Sequence, residues 1–168
     1  GFEVQLSKIL KCLPAKRQTL MFSATLPQSI VRLSAKYLNE PERVSAGEAN
    51  VVAPKIKQEI VRIPQDKKYG ALIDQLGKRK GSVIVFSKTK YGSERIAQKL
   101  CNDGFKADAL HGALRQNKRN SVMSNFRRKN FRILVATDIA ARGLDVPHIE
   151  HVINYDLPQV AEDYIHRN

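Results

Sequence analysis

Two short runs, Val83-Ile84-Val85-Phe86 and Ile133-Leu134-Val135-Ala136, constrain the fold more than any other feature of the sequence. Each is apolar at every position rather than at alternate ones, so each reads as a strand covered on both faces. Such cover comes from helices packed on the two sides of a parallel sheet. Around these runs, other β-branched segments alternate with amphipathic stretches of helical period, which is the pattern of βαβ units. The spacing predicts strands at 18–22, 56–63, 82–86, 106–110, 133–136 and 152–155. It predicts helices over 4–13, 27–38, 67–76, 91–100 and 117–126, with another starting at 160–166. Right-handed crossovers then give a doubly wound α/β sandwich. Residues 41–55 mix Pro, Gly, Glu, Asn and Ala without period and read as a linker.

The chain has 168 residues, 42% of them hydrophobic, enough to bury a core. No apolar stretch approaches the roughly 20 residues that cross a bilayer, and the first twenty residues hold no secretory pattern, so the expected location is cytoplasmic. Cys12 and Cys101 form no C-x-x-C pair and are expected to be core thiols of a reducing compartment. Twenty-nine Lys and Arg against 16 Asp and Glu leave a net charge of +13, which favours a polyanionic partner. Arg115, Lys118, Arg119, Arg127, Arg128, Lys129 and Arg132 follow one another with no acidic residue between them. Such a run is either a solvated helix face or an anion-binding one.

In open parallel sheets ligands bind beyond the carboxyl ends of the strands. The residues there are Ser23-Ala24-Thr25, Ser87-Lys88-Thr89, His111-Gly112, Thr137-Asp138 and Asp156. Hydroxyls and small residues suit phosphate and sugar recognition, and the same residue types also cap helices. A P-loop is excluded: the one Gly-Lys pair, Gly77-Lys78, is followed by Arg79, and Leu72 stands where the first glycine belongs. Neither G-x-S-x-G nor H-E-x-x-H occurs. His148 and His151 lack a partner at metal spacing and read as surface or capping residues rather than zinc ligands.

The order of these segments carries more information than any one of them. Ser23-Ala24-Thr25, Val83-Ile84-Val85-Phe86, Leu110-His111-Gly112 with Gln116-x-x-Arg119, Ala136-Thr137-Asp138-Ile139-Ala140-Ala141-Arg142-Gly143-Leu144-Asp145, Val152-Ile153-Asn154-Tyr155-Asp156-Leu157-Pro158 and Tyr164-Ile165-His166-Arg167 closely resemble the DEAD-box RNA helicase family, from end to end. The resemblance implies a RecA-like doubly wound parallel sheet sandwiched by helices, preceded by an incomplete piece of a second such domain. Residues 1–40 would be the C-terminal tail of the first, ATP-binding lobe. Residues 41–55 would be the interlobe linker, and 56–168 the second lobe, ending within its last motif.

The same resemblance implies roles for single residues. Ser23, Ala24 and Thr25 would belong to the segment that couples hydrolysis to strand separation. Gln116, Arg119, Thr137, Arg142 and Gly143 would form the RNA-binding set, with Arg119 and Thr137 on phosphates. Asp145 would meet the ATP ribose, and Asp156, His166 and Arg167 would serve the same interlobe cleft. The P-loop and the D-E-A-D box would lie upstream of Gly1 and the arginine fingers downstream of Asn168. ATP and Mg²⁺ would therefore belong to the intact parent, and this chain would be inactive alone. The implied partners are single-stranded or short duplex RNA, read with little sequence preference, and the missing N-terminal lobe, with no membrane. An ATP-independent RNA-binding or adaptor module is the alternative of a different class.

Overall fold

The computed structural model describes residues 3–23, 28–44, 56–141, 146 and 148–167, excepting the side chains of Ser29, Glu162 and His166. The chain divides into two units, Gly1–Asn50 and Val51–Asn168.

The first unit carries two helices, α1 (Glu3–Lys11) and α2 (Gln28–Tyr37). Glu3 in the first turn of α1, with Lys8 and Lys11 in its last, complements the helix dipole. The two helices are joined by a hydrogen bond between the Ser7 and Tyr37 hydroxyls at 2.9 Å and by an exposed Lys36–Glu3 ion pair at 3.1 Å. No strand forms at 18–22, contrary to expectation. A strand exists only by hydrogen bonding to a neighbour, and no described strand lies in this unit for it to pair with.

In the second unit a 3₁₀ turn (Gln65–Lys67) leads into α3 (Lys68–Lys78). Then come β1 (Ser82–Phe86), α4 (Lys90–Asn102), β2 (Ala107–Leu110), α5 (Gln116–Arg127), β3 (Ile133–Ala136), α6 (Asp138–Ala141), β4 (Ile149–Asn154) and α7 (Ala161–Arg167). The four strands form one parallel sheet in the order β2-β3-β1-β4. The doubly wound architecture expected from the sequence is therefore present. Residues 56–63, expected as a strand, carry none, since they pair with neither edge strand of the sheet, and the short α6 was not anticipated.

Alternation along β1 and β3 explains why both runs are wholly apolar. Val83, Val85, Ile133 and Val135 point to one face and pack with Leu72, Leu76, Ile96, Ala97 and Leu100 of α3 and α4. Ile84, Phe86, Leu134 and Ala136 point to the other and pack with Val122, Met123 and Phe126 of α5 and Ala140 of α6. Two side chains then close the layer ends. The Arg132 guanidinium donates to the carbonyls of Leu76, Arg79 and Gly81 at 2.6, 2.6 and 2.9 Å, satisfying the C-terminal end of α3. His148 Nε2 lies 3.2 Å from the Phe126 carbonyl near the end of α5, a capping position. Both cysteines are exposed, which corrects the expectation of core thiols. Cys101 sits on the last turn of α4, where its Sγ donates to the Ala107 carbonyl at 3.2 Å. Among the described residues, no helix is long and apolar enough to cross a membrane.

Candidate nucleic-acid interface

The register fixes the site. Leu110, Ala136, Phe86 and Asn154 form one rung across β2, β3, β1 and β4. The pairing continues one step further: Thr137 N–H donates to the Leu110 carbonyl, Ser87 N–H to Ala136, and Asp156 N–H to Phe86, at 3.1, 2.9 and 3.0 Å. Strand neighbours lie about 4.8 Å apart, so His111, Thr137, Ser87 and Asp156 line the carboxyl edge of the sheet as one polar row.

Arg119 and Gln116 reach this row through β2. The strand ends at Leu110, the Leu114 N–H donates to the His111 carbonyl at 3.2 Å, and α5 starts at Gln116. Gln116 Nε2 donates to Asn120 Oδ1 at 2.9 Å along the exposed side of the helix. Arg119 is half-buried, and among the described residues its guanidinium has no ion-pair partner. Lys118, beside it, sits 3.6 Å from the Asp108 carboxylate. Thr137 is half-buried, and its carbonyl accepts the N–H groups of Ala140 and Ala141 at 3.0 Å each, closing the turn that becomes α6. The seven-residue basic run is thus divided in structure: Arg132 is committed to the carbonyls at the end of α3 and the turn after it, while Arg119 has no ion pair among the described residues.

Ser87 and Thr89 separate the two readings open to hydroxyls at strand ends. Thr89 is the N-cap of α4, its Oγ1 accepting the Gly92 N–H at 3.0 Å. Ser87 is buried, and its hydroxyl donates to Asp156 Oδ2 at 3.4 Å. Asp156 also accepts the Lys88 N–H at 2.9 Å and pairs with Lys68 Nζ at 2.5 Å. Lys68 lies over the Tyr155 ring, 4.4 Å from its centroid. Burial by itself would raise the Asp156 pKa. The hydrogen bonds from Lys68 and Lys88, with the Lys68 charge, outweigh burial and hold the carboxyl below its ordinary range.

Arg167, at the end of α7, is only 5% exposed. Its Nε–H and Nη2–H donate to the two Asp138 oxygens at 2.5 and 2.8 Å, and Nη1 donates to Asn154 Oδ1 and the Asp156 carbonyl, both at 2.7 Å. The guanidinium carbon stands 4.6 Å from the centroid of the Phe86 ring. His111 is buried too. Its Nε2 lies 2.8 Å from a Glu94 carboxylate oxygen but off the line of a hydrogen bond, and neither ring nitrogen makes one.

Of the residues singled out in the sequence, the structure brings Gln116, Arg119, Thr137, Asp156 and Arg167 to this edge. Ser23 is exposed in the first unit. Ala24, Thr25, Arg142, Gly143, Asp145 and the His166 side chain lie outside the described residues. Sequence reasoning missed Lys68 and Glu94, which meet their partners only in the fold, and it missed the pairing of Asp138 with Arg167. The spacing of 88 residues between Lys68 and Asp156 leaves no local signal.

Residues 67–168 match the helicase conserved C-terminal domain. The chain is 40% identical over 168 residues to the ATP-dependent RNA helicase DbpA of Bacillus subtilis, covering 99% of this chain and 35% of the relative. It is 41% identical to the DEAD-box ATP-dependent RNA helicase CshA of Geobacillus kaustophilus, over 99% of this chain and 36% of that protein. Among solved structures, S. cerevisiae Dbp5 bound to RNA and ADP BeF3 superposes with a TM-score of 0.87 at 30% identity, over 99% of this chain and 45% of that one. A DEAD box protein from Methanococcus jannaschii superposes with a TM-score of 0.66 at 37% identity, with the same coverages. The chain thus spans about a third of the length of these curated relatives. With its parallel sheet and its polar carboxyl edge, the chain belongs to the DEAD-box RNA helicases, and residues 67–168 are their helicase conserved C-terminal domain.

Proposed function

We propose that this chain is the part of an ATP-dependent RNA helicase that grips the RNA backbone from the C-terminal side. Residues 1–40 are the tail of the first lobe, 41–55 the linker and 56–168 the second lobe. The observation that carries the reading is the rung joining Leu110 to Ala136, which sets the α5 segment of Gln116 and Arg119 beside the Thr137 turn. An arginine with uncommitted donors and a hydroxyl on a tight turn, on neighbouring strand ends, suit successive phosphates of one strand. The superposing yeast protein holds RNA and ADP BeF3, which supports the same ligand here. By the family resemblance, Arg142 and Gly143 belong to the RNA-binding set, Asp145 serves the ATP ribose, His166 serves the interlobe cleft, and Ser23, Ala24 and Thr25 belong to the segment that couples hydrolysis to strand separation.

ATP and Mg²⁺ do not fit the residues present. The sequence has no P-loop to cradle the phosphates, and Mg²⁺ in such sites is held largely through those same phosphates. Nucleotide chemistry therefore belongs to the whole protein, and the isolated chain binds RNA without turnover.

The test is RNA affinity as a function of salt. Arg119→Ala weakens binding to all sequences alike and lowers the slope of log affinity against log salt by about one, the signature of one lost phosphate contact. An unchanged slope would overturn the assignment of Arg119, and RNA-stimulated ATP hydrolysis by the purified chain would overturn its predicted silence.

A further inference from the structure

We infer that Arg167 is a positioning residue for RNA binding, one that sets the Thr137 turn without touching the ligand. The inference rests on the RNA reading above and concerns a residue that reading leaves in the interlobe cleft. At 5% exposure the guanidinium is closed off from any phosphate. Four of its five N–H groups are spent within the lobe, two of them on Asp138. Asp138 follows Thr137 directly and opens the turn in which Ala140 and Ala141 donate to the Thr137 carbonyl. A planar fork bound to both carboxylate oxygens fixes direction as well as distance, so Arg167 orients the residue adjoining the proposed phosphate contact.

The rest of the side chain sets what that direction is measured against. Nη1 holds Asn154 and Asp156 at the end of β4, and the guanidinium face rests on Phe86 at the end of β1. One residue of α7 thereby ties the turn after β3 to the ends of both strands beyond it in the sheet. A buried charge is tolerated only when it is paired and fully hydrogen-bonded, so Arg167 and Asp138 hold each other in one arrangement. Lysine keeps the charge but supplies neither the fork nor the stacking face.

The experiment uses the full 168-residue chain with labelled oligouridylate, below the unfolding midpoint of every variant, together with amide hydrogen exchange. Arg167→Lys preserves the net charge. It is expected to speed exchange at the Ala140 and Ala141 amides about tenfold relative to those of β1 and to weaken RNA binding about tenfold, with the salt slope unchanged because the Thr137 hydroxyl neutralises no phosphate. Asn154→Ala, which removes a single acceptor, gives the same changes in smaller measure and decides the matter if Arg167→Lys does not fold. A merely structural role lowers the unfolding midpoint but leaves the RNA affinity of the folded protein unchanged. Faster exchange with unaltered affinity overturns the inference, as does no change in either readout. If the wild-type chain itself shows no salt-dependent RNA affinity, the RNA reading fails and the inference with it. If wild type and Arg119→Ala behave as expected while Arg167→Lys binds normally, the positioning role alone is wrong.

Discussion

The two units have comparable helical patterning and opposite outcomes. In the second, a four-stranded sheet takes two apolar layers out of water. In the first, α1 buries none of its residues, and Leu20, Met21 and Phe22 stand exposed, Phe22 at 90%. An amphipathic helix or an apolar strand is only half of an interaction, and its burial is decided by what the rest of the chain supplies. The second unit supplies β3 between β1 and β2, whereas the described part of the first holds no strand at all.

Deleting the same ring in both units is the sharpest way to break this contrast. Phe126 is fully buried and stacks on Phe131 at 5.3 Å between centroids. Phe126→Ala is expected to cost about 3 to 5 kcal/mol of the second unit's stability. Phe22→Ala is expected to change urea unfolding by less than about 0.5 kcal/mol. A large loss at Phe22 would mean that the first unit folds cooperatively around it, and the contrast would collapse.

Arginine gives the next comparison. Arg132 serves three carbonyls at the edge of the core, while Arg17 donates to the single exposed Pro14 carbonyl at 3.0 Å. Arg132→Ala should destabilise by about 3 kcal/mol, since charged hydrogen bonds contribute about 1.5 to 3 each and water replaces part of what is lost. Arg17→Ala should be nearly silent in the same thermal scan. Equal effects would place Arg132 among solvated charges.

These pairs also show what sequence reading reaches. Strands β1 and β3 were legible because a run that is apolar at both alternating positions has one structural solution. Helices α3 to α5 followed from their period. The strands at 18–22 and 56–63 have equally good local patterns and did not form, because pairing is not a local property. The site divides in the same way. Thr137 and Arg119 stand out as motif residues, and the Thr89 cap is a local contact readable from spacing. Lys68 against Asp156 and Arg167 against Asp138 join residues 88 and 29 positions apart, a distance that only the crossovers close.

The ion pairs extend the contrast to pH. Asp156 is held below its ordinary pKa in the folded state. Its contribution is therefore complete above the unfolded value, about 3.9, and is lost as pH falls through the lower folded value. Asp156→Asn should cost about 2 kcal/mol at neutral pH and flatten the acid limb of the stability curve. The Lys36–Glu3 pair of the first unit is exposed, so Glu3→Gln should change stability at neutral pH by less than about 0.5 kcal/mol. An acid limb untouched by Asp156→Asn would show that the Lys68 contact contributes nothing in solution.

The smallest effects compare two turns within the second unit. Gly81 and Gly104 both have left-handed backbones, with φ of +86° and +84°. A Cβ at Gly104 meets nothing within 4 Å, whereas one at Gly81 falls 2.1 Å from the Glu150 carboxyl carbon. Alanine at either position bears the left-handed penalty of about 1 kcal/mol. The Glu150 carboxylate is the free end of an exposed side chain and can swing away, so Gly81→Ala should exceed Gly104→Ala by only a few tenths of a kcal/mol. Chemical denaturation of the two variants and of Gly81→Ala with Glu150→Ala measures that difference. If the second substitution restores more than about 1 kcal/mol, Glu150 is fixed against Gly81, and the entry to β1 is as tightly packed as its core.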